Sequence, residues 1–511
     1  MTHELYKNIS TANRWLITIV VMSATLMQVI DSTIVNVALP RMQGALAASP
    51  DEITWTLTSY LVSAAIFMPL TGYFSDRFGT RKYLFISIAG FTLTSALCGA
   101  ANSLNEIVIF RLLQGIFGAG LVPLAQAILV SIFPPEERSK AMAIWGMAVM
   151  VGPILGPSLG GYLTEVTTWR WIFYVNIPVG IAALLFMHII PNTAAKTRHM
   201  DWKGLFCLSL AIGGLQYVSD RGNSADWFNA DSICIISYLS LVGFISFLLH
   251  SLSKPAQAVF DIRIFKDLNF SIASIVLCLF CLGLYGMMVL QPMMMESLLN
   301  YPVLTAGLIL APRGISGMIS MIIVSKLIKW IESRWLIIAG ILLSIAGTYI
   351  GTQYSLENVD MFWLIWPMIL QGFGLGLIFV PLSTLAFSSL PSRSHTEAAG
   401  LYSLLRTIGG SIGISITITL MTRHTQFYWN KLSGFVTLFN PALYQYLHPL
   451  QLDPTQSLAA NVLGHEVARQ AQMQAYISVY AFIMWCFVLM LPLVLMIRPS
   501  QVTATVAIQV D

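Results

Sequence analysis

The sequence predicts an all-α polytopic membrane protein with fourteen transmembrane helices, arranged as two six-helix bundles with two further helices inserted between them. Three observations predict it. The 511 residues are 56% hydrophobic and only 10% charged, with a mean hydropathy of +0.75. A water-soluble fold of that balance would carry one unbroken apolar surface. Apolar runs of about 18 to 26 residues, each long enough for a ~30 Å hydrocarbon core, recur along the chain. Finally, the second half of the chain repeats the first.

The runs cover residues 15–38, 54–74, 83–101, 107–130, 141–163, 171–190, 202–219, 232–252, 269–291, 304–325, 335–352, 362–387, 398–421 and 475–497. The seventh is the weakest, because it is short and ends in Ser219-Asp220-Arg221. The first has a basic flank but is too long for a signal-peptide core, and no small-residue cleavage site follows it, so it is expected to remain as a helix. These runs divide the chain into a cytoplasmic N-terminus (1–14), a first bundle (15–190), an inserted hairpin (202–252), a second bundle (269–497) with one sizeable outer loop (422–473), and a cytoplasmic tail (498–511).

Orientation follows from the basic residues, which favour the cytoplasmic side. With the N-terminus inside, eighteen of the 27 Lys and Arg fall on inner segments and their borders. Only Arg41, Arg170, Arg221, Arg423, Lys431 and Arg469 fall outside, and Arg111, Arg313 and Arg406 lie within spans. An even number of spans then puts both termini in the cytoplasm. The net charge of +4 is therefore topology, and it argues for no nucleic-acid partner. All six cysteines fall in apolar spans, so no disulfide framework is readable. Cys278 and Cys281 form a CxxC without a nearby His or Cys partner, and helix packing is the better reading of them.

The repeat is visible at an offset of 257, where Leu113-Gln114-Gly115 meets Leu370-Gln371-Gly372, Ser131 meets Ser388, Pro134 meets Pro391, Gly152 meets Gly409 and Gly156 meets Gly413. An offset of 252 matches Pro40 to Pro292 and Pro50 to Pro302. Eight spans separate the copies where a six-span repeat needs six, so spans seven and eight are an insertion.

Span five carries Gly152-Pro153-Ile154-Leu155-Gly156-Pro157-Ser158-Leu159-Gly160-Gly161. A membrane helix tolerates Gly and Pro because lipid offers its backbone no competing partners. In return they give a bend and a smooth groove for a second helix. This spacing resembles the fifth-helix antiporter motif of major-facilitator exporters. Val29 to Pro40 (VIDSTIVNVALP) resembles the first-helix motif of fourteen-span drug:proton antiporters of the EmrB/QacA type. Gly72-Tyr73-Phe74-Ser75-Asp76-Arg77-Phe78-Gly79-Thr80-Arg81-Lys82 is similar to the loop between helices two and three of the superfamily, with Thr80 where a basic residue is usual. Arg111-Leu112-Leu113-Gln114-Gly115 is similar to the fourth-helix motif. The resemblance covers nearly the whole chain, with four motifs in order on the expected helices. It implies a major-facilitator fold, a proton-coupled efflux activity directed at amphiphilic drugs or toxic compounds, and a place in the inner membrane. It also implies, as in Gram-negative relatives, a periplasmic adaptor and an outer-membrane channel as partners.

Asp31 lies about seven residues from the outer end of its span, roughly 10 Å inside, and Arg111 enters at similar depth in span four. Charges at such depth are costly and usually functional. In the family's fold helices one and four face the central cavity, so an acid beside a fixed cation is the expected proton-coupling pair. Its alternative is a static ion pair that orders the helices. Gln28, one turn before Asp31, and Asn36, further out, are expected to support it by hydrogen bonding. Gln114, Arg313 and Arg406 join Gln28 and Asn36 as candidate cavity-lining residues. For Arg313 and Arg406, cavity lining, an anion site and a structural bond to backbone carbonyls stay open.

In the 72–82 loop, inside anchoring explains Arg77, Arg81 and Lys82 but not Gly72, Gly79 or Asp76. The resemblance makes the loop a gate in which Asp76 caps or pairs across to a neighbouring helix in one state. Asp220 and Arg221 read as solvated surface. The cluster Met287, Met288, Met293, Met294 and Met295 reads as gap-filling more readily than as a permissive binding wall. In the outer loop, Leu458, Val462, Leu463, Val467 and Ala471 recur at helical spacing.

No cofactor or metal is expected. An enzyme or redox subunit would need ligand or catalytic clusters, whereas the eight histidines are scattered. No GxxxxGK[ST] loop appears, which leaves an ion gradient as the energy source. Export of an endogenous metabolite, such as a siderophore or fatty acid, by the same machinery is the alternative. Nutrient import is disfavoured by the Gly-Pro motif, on resemblance.

Overall fold

A computed structural model describes residues 9–134, 137–191, 193, 200–253, 258–357, 359–391, 394–453 and 456–497. The tail 498–511 and residues 1–8 lie outside the described residues. Among the described residues fourteen membrane-type helices follow one another: α1 Thr11–Ala45, α2 Trp55–Phe78, α3 Thr80–Ala100, α4 Leu104–Ile132, α5 Arg138–Val166, α6 Trp171–Leu185, α7 Trp202–Arg221, α8 Asp231–Ser253, α9 Leu268–Leu298, α10 Val303–Leu327, α11 Ser333–Gly351, α12 Met361–Ser388, α13 His395–Ser433 and α14 Ser457–Leu495. No strand occurs among the described residues. Eleven of these are long and apolar enough to cross a bilayer, and α5, α6 and α7 complete the fourteen.

Local chemistry sets the helix ends. Ser10 and Ser103 accept the amides of Asn13 and Glu106 to start α1 and α4, and Asp360 accepts that of Trp363 to start α12. Gly79 alone separates α2 from α3. Its φ of 82° is a conformation that other residues adopt at a cost. α6 breaks at Val175 into Trp171–Tyr174 and Asn176–Leu185, because Pro178 has no N–H to continue the ladder. It ends at Leu185, with a 3₁₀ turn at Met187–Ile189 in the remainder of the expected 171–190 run. Pro292 has a similar effect near the end of α9, whose last turn widens to a π-turn at Met294–Leu298.

Helix pairing repeats with the sequence. α1 packs on α5, α2 and α3 on α4, and α3 on α6; in the second half α9 packs on α13, α10 and α11 on α12, and α11 on α14. The halves meet where α5 touches α10 and α12, and where α13 touches α2 and α4. These contacts gather at the ends assigned to the inner side by charge. Ser139 Oγ donates to the Ser325 carbonyl at 3.2 Å. A Cβ on Gly400 would stand 2.9 Å from the Met68 carbonyl oxygen, and one on Gly146 3.0 Å from the Phe379 ring.

The inserted pair α7–α8 lies against this seam. α7 packs on α2 and α13, and Gln216 Nε2 donates to Ser411 Oγ at 2.7 Å. At its outer end Thr58 Oγ1 donates to Asp220, and Arg221 lies 4.9 Å from the Trp55 ring centroid. The pair expected to be solvated thus ties the hairpin to α2. α13 and α14 have 39 residues each, about 58 Å of helix, and run well past a ~30 Å core. Between them, Pro441–Leu447 packs Leu443 and Leu447 on Ala459 of α14, beside a cavity of about 460 Å³ lined by Trp429, Leu463 and Val467 among others.

Candidate functional site

Asp31 on α1 and Arg111 on α4 are both fully buried, and Arg111 Nη1 reaches Asp31 Oδ2 at 2.6 Å. The other carboxylate oxygen accepts from Gln114 Nε2 at 3.0 Å and from Asn176 Nδ2 at 2.9 Å. Gln114 stands three residues after Arg111, on the same helix face, and its Oε1 accepts from Arg111 Nη1 at 2.8 Å. Arg111 Nε donates to the Thr56 carbonyl at 3.1 Å, and the guanidinium lies 4.1 Å from the Tyr60 ring centroid. Asn176 also donates to Ser95 Oγ at 3.0 Å. One acid and one base therefore fasten α1, α2, α3, α4 and α6 together. A buried ion pair needs its other polar atoms engaged as well; both carboxylate oxygens and Arg111 Nε and Nη1 are, while the buried Nη2 meets no acceptor among the described residues.

Gln28 and Asn36, the expected supports, stand elsewhere. Gln28 Nε2 donates to Tyr60 OH at 3.0 Å, so it touches the ring beneath Arg111 and not the carboxylate. Asn36 is exposed. Gln114 and Asn176 take the supporting role. The latter was not among the expected residues, since its partner lies 145 positions away and no local periodicity points to it.

The Gly-Pro motif holds α1 in place. A Cβ on Gly152 would stand 2.8 Å from the Val29 carbonyl carbon, one on Gly156 2.9 Å from Thr33 Cβ, and one on Gly160 2.8 Å from the Ile34 carbonyl oxygen. Thr33 Oγ1 also donates to the Gly152 carbonyl at 3.1 Å. Three glycines four apart thus face α1 beside Asp31. Gly161 approaches the same helix only loosely, with a Cβ 3.9 Å from Val37 Cγ1. The side chains of Pro153 and Pro157 lie outside the described residues. The copies Gly409 and Gly413 meet the Cys278 and Leu282 backbone of α9 in the same manner, which places the CxxC in a packing face.

In the 72–82 segment Arg77 and Lys82 are exposed and Asp76 and Arg81 half-buried. Gly72 lies against Glu397 at the start of α13, where a Cβ would be 2.9 Å from Glu397 Cβ. Glu397 Oε1 in turn accepts the Asp261 amide at 2.6 Å. Thr80 is bonded to Thr193 by its amide and its hydroxyl, each at 2.9 Å.

The second bundle has a matching polar core with a different charge balance. Arg313 Nη1 donates to Gln291 Oε1 at 2.9 Å, and Gln291 Nε2 to Gln371 Oε1 at 3.2 Å. Gln371 is the repeat partner of Gln114. Arg406 is 6% exposed, with its guanidinium 5.6 Å from the centroid of Trp145. Met287, Met294 and Met295 are buried, whereas Met293 is 44% exposed. No group of three or more His, Cys, Asp or Glu able to hold a metal occurs among the described residues.

Comparison with known proteins gives the same fold. The family model described as Major Facilitator Superfamily matches residues 21–414. The chain is 34% identical over 500 residues to the multidrug export protein EmrB of Escherichia coli, covering 96% of this chain and 97% of that one. It is 32% identical over 480 residues to the fatty acid resistance protein FarB of Neisseria gonorrhoeae, covering 93% and 94%. The proton:xylose symporter XylE superposes with a TM-score of 0.59 at 14% identity, over 93% of this chain and 95% of that chain.

Proposed function

We propose that this chain, which belongs to the Major Facilitator Superfamily, exports amphiphilic small molecules in exchange for protons. It is a multi-pass membrane protein, and the bias of its Lys and Arg supports the cytoplasmic membrane with both ends inside. The observation that carries the reading is the Asp31–Arg111 pair, an acid and base at 2.6 Å within a membrane bundle.

The pair works as a coupling device because α1 has two grips. One is Arg111, reached through the carboxylate. The other is the glycine face of α5. Protonating Asp31 removes the charge that holds Arg111 and frees α1 to shift against α4. Through Gly152, Gly156 and Gly160 that shift is handed to α5, whose inner end carries Ser139 and Trp145 at the seam with the second half. Proton release restores the pair and the closed seam. Differential affinity of proton and substrate for the two arrangements is all that exchange requires. Asp76 and Glu397 belong to the gate at the inner ends in this scheme.

Likeness to the multidrug export protein EmrB supports drugs as substrates, and the resemblance of the sequence motifs extends the proposal to a periplasmic adaptor and an outer-membrane channel as partners. The outer ends of α13 and α14 offer that adaptor a module to engage. Likeness to FarB favours a second reading, export of a fatty acid by the same machinery. Proteoliposomes with an imposed pH gradient test the proposal: accumulation of a fluorescent amphiphile should follow the gradient and collapse with an ionophore. Accumulation that is indifferent to the gradient would overturn it.

A further inference from the structure

Arg406 stands eleven residues into α13, about 16 Å from its inner end. Among the described residues it forms no ion pair and no hydrogen bond, and its buried Nη1 meets no acceptor. The ring over which it lies, Trp145 of α5, is fully buried, and its Nε1 likewise meets no acceptor. Trp145 stacks on Phe379 of α12, with centroids 5.4 Å apart and planes 18° from parallel. Two buried donors, one of them charged, thus lie close together at the seam with no acceptor among the described residues.

The charge balance of the spans sharpens the point. In the first bundle Arg111 has Asp31. In the second, among the described residues, Arg313 has only an amide oxygen and Arg406 only the face of the Trp145 ring. The nearest acids by sequence are committed: Glu397 accepts the Asp261 amide, and Asp360 accepts that of Trp363. A buried cation is costly unless a negative partner is supplied. A guanidinium and an indole N–H offer a pair of donors, suited to the two oxygens of one carboxylate. The aromatic face of Trp145 and the Tyr285 ring, which a Cβ on Gly410 would meet at 3.0 Å, suit a planar apolar body.

We propose that Arg406 and Trp145 form the recognition point for the carboxylate of an anionic amphiphilic substrate arriving from the inner side. This rests on the exporter reading and names a substrate class for it. One donor sits on each half, so a carboxylate held by both binds the closed seam better than the open one. Anion binding therefore favours inner closure. A neutral substrate leaves the guanidinium without a partner and closes the seam less readily.

The test uses the full-length protein in nanodiscs with 1-pyrenebutyrate and its neutral counterpart 1-pyrenebutanol, and protein-free nanodiscs as background. The wild type should prefer the carboxylate by about tenfold, the scale of one charge-assisted bond. Arg406→Gln should abolish that preference, with the loss confined to the charged probe, and Arg406→Lys should restore part of it. Trp145→Phe keeps the ring and removes the N–H; it should lower the preference about threefold and carries the test if Arg406→Gln does not fold. An unchanged preference in the folded variants overturns the site. Gradient-driven efflux of a cationic dye in the same variants separates that outcome from failure of the exporter reading.

Discussion

Gly72 and Glu397 touch across the seam between the two bundles, with a distance of only 2.9 Å from a Cβ on the glycine to that of the glutamate. The contact joins the loop end of α2 to the first turn of α13, the two places where the inner ends must separate if the inner side is to open. A glycine is the only residue that lets the helices approach so far.

Gly72→Val should hold the inner ends apart. In a background without the six native cysteines, a cysteine at position 139 should react several-fold faster with a maleimide supplied from the inner side, and transport should fall at least tenfold. Unchanged labelling together with normal transport would remove this contact from the gate.

The glycine face of α5 gives a sharper contrast, because its members differ in what they touch. Gly156→Leu drives a side chain into Thr33, two residues from Asp31, and should leave an inserted protein with less than a tenth of wild-type transport. Gly161→Leu adds bulk where the nearest atom is Val37 Cγ1 at 3.9 Å, and should stay within about twofold. Equal effects in the two variants would mean that the motif acts through something other than its approach to α1.

The reach of the sequence is visible in these residues. Spans and repeat were legible because hydropathy and self-similarity are carried by every residue of a helix, and the helix pairings recur across the two halves as the repeat requires. Arg111 was legible as the partner of Asp31, but the amides that complete its shell were not. Gln28 and Asn36 came from the local face of one helix, whereas Gln114 and Asn176 arrive from α4 and α6 by packing. The outward extension of α14 was legible in the helical spacing of Leu458 to Ala471, whereas that of α13 was hidden in hydropathy, since a helix that leaves the membrane loses its apolar signal. Thr80 looked like a departure from a motif. Its hydroxyl and amide are instead spent on Thr193.

Those outward extensions make the topology testable. An epitope tag within residues 434–440, which follow the end of α13 and carry Phe439 at 96% exposure, should be reached by antibody from the outer side of spheroplasts. Tags at either terminus should be reached only after permeabilisation. Labelling of a terminus in sealed spheroplasts would break the fourteen-span count.

The stability of the first bundle should depend on the pair more than on either charge. Arg111→Leu leaves a buried carboxylate with only amide donors and should cost about 3–5 kcal/mol, read as a lower unfolding temperature in detergent. Combining it with Asp31→Leu should recover most of that loss, since the double variant buries no charge. A double variant as unstable as the single one would show that the polar network, and not the unpaired charge, sets the cost.

Coupling itself comes down to Asp31. Asp31→Asn keeps the shape of the side chain and one oxygen for Gln114 and Asn176, but it carries no exchangeable charge. Gradient-driven efflux should therefore vanish while substrate binding persists within about threefold, because no part of the carboxylate is exposed to a ligand in this arrangement. Asp31→Glu moves the carboxylate about 1.5 Å along its chain into a shell already filled by Arg111, Gln114 and Asn176. It should keep partial transport with a displaced pH optimum. Substrate-induced proton movement in proteoliposomes, with binding measured on the same preparations, reads both effects. Proton movement that survives in the Asn variant would make the pair a fastening of five helices and nothing more, and would pass the coupling role to an acid at the seam such as Glu397.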